Sequence, residues 1–361
     1  MKIIQFGDLH LDAPMERLRP EKAAARRMAA RELLREIVGY AENAGAKLLL
    51  CTGDLFDSQT PYRDTVEFVT GVFAGTSLPV FISPGNHDFY ARSSPYAAAE
   101  WSENVHIFRS ETPETVFCEA AGCTVTGFAY LSDRPALRPL HGWRAAADGV
   151  PAAFAGHGET GVSASEYAAF PQEDIAASGL CYLALGHIHK PGAVMAGQTL
   201  VVENGSVEGR GYDECGERGF YEVTLGGGSA PESRLIPSSG SRAVRLTVTD
   251  VPGDAGALCE AVFARCPFPP ERTMLRLEAP AGEAAALTER LAGVFLDVKL
   301  AARRSESASE PGPQTPLVQM FAKRAAAARA AAKTEREALA ADYALRFGLA
   351  ALENREQPRH S

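Results

Sequence analysis

Five short apolar runs in this chain each stop at a glycine, and each glycine is followed at once by aspartate, asparagine or histidine. The runs are Lys2–Phe6 before GDLHLD, Ala46–Thr52 before GDLFD, Leu78–Pro84 before GNHD, Val150–Ala155 before GHGE and Leu180–Leu185 before GHIH. Apolar runs of this length, closed by a turn residue, read as buried strands. In a parallel α/β sheet, ligands gather just beyond the strand carboxyl ends. A glycine there removes the Cβ where the backbone turns, so the next side chain is aimed inward. Asp8, Asp54, Asn86, His157 and His187 are therefore expected to converge along one sheet edge.

The spacing around these runs predicts alternation of strand and helix. A helix over residues 20–43 and another near 62–73 separate the first three runs, which makes two βαβ crossovers and favours a parallel sheet. From about Val105 β-rich segments dominate, at 115–118, 123–128, 199–203 and 220–224. The first domain is expected to span residues 1–237, with Ser238–Ser241 as a linker. A small α+β cap of strand, helix, strand, helix, strand is expected over 242–303, and it carries no evident catalytic residue. Residues 304–315, rich in Ser, Glu and Pro, read as a flexible linker. Thr315 and Pro316 suit an N-cap and first helical position, so 316–353 reads as an Ala-rich helical segment. Its apolar patches at Leu317, Met320 and Phe321 and at Leu345, Leu349 and Leu352 suit either packing or partner docking.

Charge narrows the function. The net charge of −9 removes the simplest argument for nucleic-acid binding, a globally basic surface. A local basic face remains open at Arg27, Arg31 and Arg35, spaced i, i+4, i+8 on the first helix, although Glu32 and Glu36 stand nearby to neutralise it. The seven cysteines are scattered, with no C-x-x-C pair, and read as reduced core residues. The chain opens almost directly on a strand and no apolar run reaches about 18 residues. A soluble cytoplasmic protein without a membrane anchor is expected.

Asp8-x-His10 and His187-x-His189 each put two side chains on the same side of an extended segment. With Asp54, Asn86 and His157 they form an oxygen and nitrogen donor set without thiolate, too large for one tetrahedral ion. Two ions sharing Asp54 resolve the count: Asp8, His10, Asp54 and His189 for the first, and Asp54, Asn86, His157 and His187 for the second. Such donors suit manganese, iron or zinc. Two ions about 3.5–4 Å apart activate a bridging water and stabilise an in-line phosphoryl displacement. His87 is surplus to ligation and becomes the candidate leaving-group acid, with Asp57 or Asp88 to orient it. Five of the eight histidines fall in or beside these glycine turns. His106, His141 and His360 lack that context, and Glu159 and Lys190 lie near the site with no necessary role.

The ordered set GDLHLD, GDLFD, GNHD, GH and GHIH resembles the calcineurin-like metallophosphoesterase superfamily over residues 1–224. GDLFDSQTP, PVFISPGNHD, GHIHKP and GSVEGRGYDECGERGFYEV are similar to the SbcD and YhaO type of DNA-repair exonuclease, bacterial relatives of the eukaryotic double-strand-break nuclease. Archaeal and eukaryotic members usually carry histidine where Asp57 stands, which favours the bacterial branch. The resemblance implies a β-sandwich flanked by helices and two divalent metals, with Mn²⁺ foremost. It implies DNA as substrate, a cap that helps bind it, and a C-terminal segment (316–353) that grips an SbcC/YhaN-like coiled-coil ATPase. It also implies a homodimer through helices near Phe68, Val72 and Trp101. A phosphodiesterase or phosphatase acting on nucleotides or other small phosphoesters shares the same centre, and a non-catalytic scaffold is the reading from another class.

Overall fold

A computed structural model describes residues 1–15, 20–226, 230–303, 316–332 and 337. In chain order the elements are β1 (Lys2–Phe6), α1 (Pro20–Asn43), β2 (Leu48–Cys51), α2 (Arg63–Ala74), β3 (Val80–Ile82), α3 (Pro95–Ala98), β4 (Val105–Ile107), β5 (Glu114–Cys118) and β6 (Cys123–Gly127). They continue with β7 (Ala152–His157), β8 (Glu159–Thr160), β9 (Ala169–Phe170), α4 (Gln172–Ala177), β10 (Tyr182–Gly186), β11 (Gly192–Ala196), β12 (Thr199–Glu203), β13 (Gly219–Thr224) and β14 (Glu232–Pro237). Last come β15 (Arg242–Thr247), α5 (Ala255–Arg265), β16 (Thr273–Pro280), α6 (Ala284–Ala292), β17 (Asp297–Arg303) and α7 (Pro316–Ala330).

Two six-stranded sheets form the main body, in the orders β14-β13-β1-β2-β3-β4 and β11-β12-β10-β7-β6-β5. In the first, β1 to β4 run parallel and β13 and β14 are antiparallel additions. In the second, β12, β10, β7 and β6 run parallel between antiparallel edges. Alternation along the strands sorts the side chains. Ile3, Leu48, Leu50 and Phe81 meet Val125, Ala153, Ala155, Ala184 and Val202 of the second sheet in the layer between them. Ile4, Phe6, Leu49 and Cys51 face the other way, onto Leu33, Leu34, Ile37, Val69 and Phe73 of α1 and α2. The outer face of the second sheet is covered by Phe128, Tyr130, Phe170 and Ile175. The arrangement is a mixed α/β sandwich.

One expectation changes here. The strand-end residues belong to two sheets, not to one sheet edge, because β1, β2 and β3 lie in the first sheet while β7 and β10 lie in the second.

Strands β15, β16 and β17 form a separate parallel three-stranded sheet, with α5 and α6 as crossovers and a core of Leu258, Val262, Leu275, Leu277, Leu287 and Leu291. Met1–Arg303 nevertheless forms a single compact unit, and Arg304–Ser361 a second. Ser238–Ser241 is no free linker. Ser238 and Ser241 are buried; Ser238 Oγ donates to Val207 O at 2.6 Å and Ser241 Oγ to Glu208 at 2.9 Å. Small hydroxyl side chains that look like linker composition are here consumed by buried hydrogen bonds. The expected linker at 304–315 and, residue 337 apart, the helical segment beyond residue 332 lie outside the described residues. No described helix is long and apolar enough to cross a membrane.

Candidate metal centre

The loops after β1 and β2 remain laddered beyond their strands: Asp8 N donates to Gly53 O at 3.0 Å, His10 N to Asp54 O at 2.9 Å and Leu11 N to Leu55 O at 2.9 Å. This zipper carries Asp8, His10 and Asp54 into one place. Asp8, His10, Asp54 and His187 all have positive φ, at 50°, 46°, 49° and 92°. For non-glycine residues that conformation is costly and persists only where surrounding contacts over-determine it. Gly53 and Gly85 show why glycine ends these runs. A Cβ at Gly53 would lie 2.7 Å from His157 Nδ1, and one at Gly85 would collide with the Asp54 carboxylate.

The side chains that converge are Asp8, His10, Asp54, Asn86, His157, His187 and His189. His10 Nε2 lies 3.2 Å from His189 Nε2, 3.6 Å from Asp54 Oδ2 and 4.0 Å from Asp8 Oδ1. His189 Nε2 is 3.7 Å from Asp8 Oδ1. On the other side His157 Nε2 is 3.4 Å from Asp54 Oδ2 and 2.8 Å from Asn86 Oδ1, which is also 3.2 Å from His187 Nδ1. Asp54 Oδ2 thus faces both groups.

These spacings suit a coordination shell. Ligand atoms about 2.1 Å from a tetrahedral ion stand about 3.4 Å from one another. The tautomers agree. His10 Nδ1 is held by Asp57 Oδ1 at 3.0 Å, His157 Nδ1 by Thr52 O at 2.9 Å and His189 Nδ1 by Glu214 Oε1 at 2.6 Å. With Nδ1–H committed outward, each Nε2 lone pair points into the centre, the arrangement by which an outer partner orients a metal-binding imidazole. Asp8, His10, Asp54 and His157 are buried, and among the described residues three clusters offer metal-competent atoms: Asp8, His10 and His189; His10, Asp54 and His87; and Asp8, Asp54 and His157. The donor set fits divalent cations.

The electrostatics are those of a crowded, desolvated site. Burial works against charge on His157, but the Asp54 carboxylate and then Asp8 outweigh it and push the group up to about 9. Burial, with His157 beside it, pushes His187 down to about 4. Asp54 is held well below the usual carboxylate range by His157 and His10 despite its burial. Glu214, partly buried, is brought down to about 2 by His189 and the Arg210 amide despite its desolvation.

His87 is exposed at the rim. Its N–H donates to Asp54 Oδ1 at 3.0 Å, its Nδ1 donates to the Asp57 carbonyl at 3.1 Å, and its ring meets His10 edge-on with centroids 4.6 Å apart. The expected orienting carboxylate works differently: Asp57 Oδ1 is 3.9 Å from His87 Nδ1 and closer to His10 and to Arg210 Nη1, at 3.1 Å. Asp88 is not a partner of His87. It accepts from the amides of Asp54, Phe56 and Gly85 and from Tyr96 Oη, tying the loops after β2 and β3 together. Glu159 Oε1 lies 3.7 Å from His187 Nε2, and Lys190 is exposed.

Sequence reasoning assigned no role to Glu214 and Arg210, nor to Asn204, whose Nδ2 donates to Asp8 Oδ2 at 2.9 Å. The run GSVEGRGYDECGERGFYEV holds the first two, but nothing in its composition shows which imidazole they meet. The Arg27, Arg31 and Arg35 stripe is largely neutralised, since Arg31 pairs with Asp64 at 2.9 Å and Asp12 at 3.5 Å and Arg35 pairs with Glu32.

The family model for calcineurin-like phosphoesterases matches residues 1–191, the stretch that holds every donor of the centre. The chain belongs to the calcineurin-like phosphoesterase family. A curated relative, the uncharacterized metallophosphoesterase YhaO of Bacillus subtilis (strain 168), is 30% identical over 241 residues, covering 63% of this chain and 58% of the relative. The match thus spans little more than half of that relative's length. Among solved structures, one described as a novel archaeal phosphodiesterase matches at 13% identity with a TM-score of 0.38, over 65% of this chain and all of that one. Membership of the calcineurin-like phosphoesterases accounts for the two stacked sheets and for the strand-end placement of the donors.

Proposed function

We propose that this calcineurin-like phosphoesterase hydrolyses phosphodiester bonds with two divalent cations, and that its substrate is DNA in a repair nuclease of the SbcCD kind. The observation that carries the hydrolase reading is Asp54, whose Oδ2 faces His10 on one side and His157 on the other. Asp8, His10, Asp54 and His189 would hold one cation, and Asp54, Asn86, His157 and His187 the other. Bound there, manganese or a similar ion supplies Lewis-acid charge and brings water toward ionisation near neutral pH. The protein does the rest. Asp57, Thr52 and Glu214 fix the imidazole tautomers, and the buried strand ends exclude bulk water. His87, anchored through Nδ1, donates a proton from Nε2 to the departing oxygen.

What speaks for a nucleic-acid substrate is the cap packed beside the centre and the resemblance of GDLFDSQTP, PVFISPGNHD and GHIHKP to the SbcD type of exonuclease. The proposed ATPase partner would dock on residues 316–353, of which α7 is described. The residues of the proposed dimer surface are partly exposed and partly packed within the chain. Phe68 and Val72 pack on the first core, and Trp101 stacks on Tyr96 and donates to Pro95 O. A small nucleotide diester is favoured by one feature, a cavity of about 400 Å³ lined by Asp57, Arg210 and Glu214 on one side and Met274 and Asp297 of the cap on the other, a size typical of small-molecule sites.

Linear and circular DNA and small nucleotide diesters, each assayed with Mn²⁺ and with the coiled-coil ATPase present or absent, separate the readings. DNA cleavage should vanish in Asp54→Asn and fall by about 10²–10⁴ in His87→Gln. Efficient turnover of the small diester with intact DNA throughout would replace the nuclease reading. Undiminished turnover in both variants would remove the centre itself from the mechanism.

A further inference from the structure

We infer that the loop 204–218, seated on the cap, positions the imidazoles of one cation site through Glu214 and Arg210, which make no direct contact with the donors particular to the other site. The inference rests on the two-cation reading above. Glu214 accepts from His189 Nδ1 through Oε1 at 2.6 Å and from the Arg210 amide through Oε2 at 2.7 Å. Arg210 Nη1 lies 3.1 Å from Asp57 Oδ1, the same oxygen that holds His10 Nδ1 at 3.0 Å. His10 and His189, whose Nε2 atoms are neighbours, are thus gripped from behind by two carboxylates joined through Arg210.

The rest of the loop reaches the same side. Asn204 donates to Asp8 Oδ2 at 2.9 Å, Ser206 N donates to His189 O at 3.1 Å, and Arg218 donates to that same carbonyl. Asp8, His10 and His189 are the members of the first donor set apart from the shared Asp54. Among the described residues, no hydrogen bond joins the loop directly to Asn86, His157 or His187; it reaches that side only at second hand, through Asn204, whose Oδ1 accepts from Thr52 Oγ1 and whose Nδ2 holds the Asp8 carboxylate that accepts from His187 N. His157 is instead held by Thr52 O and His187 stands against Tyr167, ring centroids 4.4 Å apart.

The outer side of the loop is fixed to the cap. Tyr212 Oη donates to Asp297 Oδ2 at 2.6 Å, Gly209 N donates to Ser241 O at 2.7 Å, Cys215 bridges to Ala243, and Arg242 Nη2 donates to Arg218 O at 2.7 Å. A shift of β15 or β17 therefore moves Glu214 and Arg210, and with them the two imidazoles. Glu214 and Arg210 are positioning residues, and the cap is the element that sets them.

Calorimetric titration of Mn²⁺ into the full chain stripped with chelator tests this. The wild type should show two sites. Glu214→Gln keeps the shape but replaces one acceptor with a donor, and should weaken one site by about 10–100-fold while the other is unchanged. The melting temperature of the chelated chain should stay within about 5 °C. Tyr212→Phe and Asp297→Asn touch no donor, yet each should weaken that same site, and the double variant no more than the stronger single one. Equal weakening of both sites, or wild-type affinity in Glu214→Gln, overturns the inference. If Asp54→Asn abolishes binding while Glu214→Gln changes nothing, only this inference fails; if Asp54→Asn binds like wild type, the two-cation reading fails with it.

Discussion

His157 and His187 lie with ring centroids 5.1 Å apart, yet their surroundings drive them in opposite directions. Both are penalised by burial, but His157 has Asp54 beside Nε2 and rises to about 9, whereas His187 has His157 as its strongest charged neighbour and falls to about 4. A pH dependence follows from His157. Its folded value lies above the ordinary 6.5, so in the cation-free chain its pairing with Asp54 stabilises the fold fully below about pH 6.5. That contribution is lost as pH climbs through about 9. A cation must displace the same proton, so its apparent affinity should rise with pH across this window and release protons on binding. Titration calorimetry in buffers of differing ionisation enthalpy reads that release; a flat affinity from pH 6.5 to 9 would contradict the assignment. At this scale the convergence of Asp8, Asp54, Asn86, His157 and His187 was legible because aspartate, asparagine and histidine directly after strand-ending glycines are aimed at the strand ends. Glu214, Arg210 and the Asp57 contact with His10 were not, since a carboxylate's partner is set by side chains distant in the chain.

Loops and strands show where pattern reading works. The helix over 20–43 buries Ala23, Ala30, Leu33, Leu34, Ile37 and Ala41, the three-and-four spacing that marks one apolar face, and the central strands are continuous apolar runs because both faces are covered. The edge strands β11 and β14 escaped notice. β11 is a short apolar stretch (GAVMA) that is mostly exposed and β14 (ESRLIP) alternates only weakly, so neither carries the long buried run that marks the central strands, and they are strands because a neighbouring edge offers hydrogen bonds. The glycine turns had a second reason to be glycine. Beyond any backbone turn, Gly85 has the Asp54 carboxylate where its Cβ would stand. Gly85→Ala should push Asp54 out of place and weaken both cation sites together by about tenfold or more, measurable by Mn²⁺ titration. Retained affinity at both sites would show that the loop after β3 yields without cost.

For the molecule as a whole, no break in packing separates the main sandwich from the cap. Arg26 and Glu208, buried with N and O 3.2 Å apart, and Lys22 Nζ donating to Leu296 O at 2.8 Å sit along that junction. Met1–Arg303 should therefore unfold in one cooperative calorimetric transition, raised in temperature when Mn²⁺ is added because the cations bind only the folded centre. Two resolved transitions in the cap and the sandwich would count against it. The amino-acid sequence by itself determined the order of the helices and central strands, the family and the residues competent to hold cations, since these depend on local period, turn chemistry and residue type. Only the tertiary structure decided that two sheets share the site, that Asp57 serves His10, and that Glu214 ties His189 to a loop seated on the cap. Those choices arise from packing between segments separated in the chain, by 25 residues for His189 and Glu214, 47 for His10 and Asp57 and more than a hundred for the two sheets, for which no local pattern carries the information.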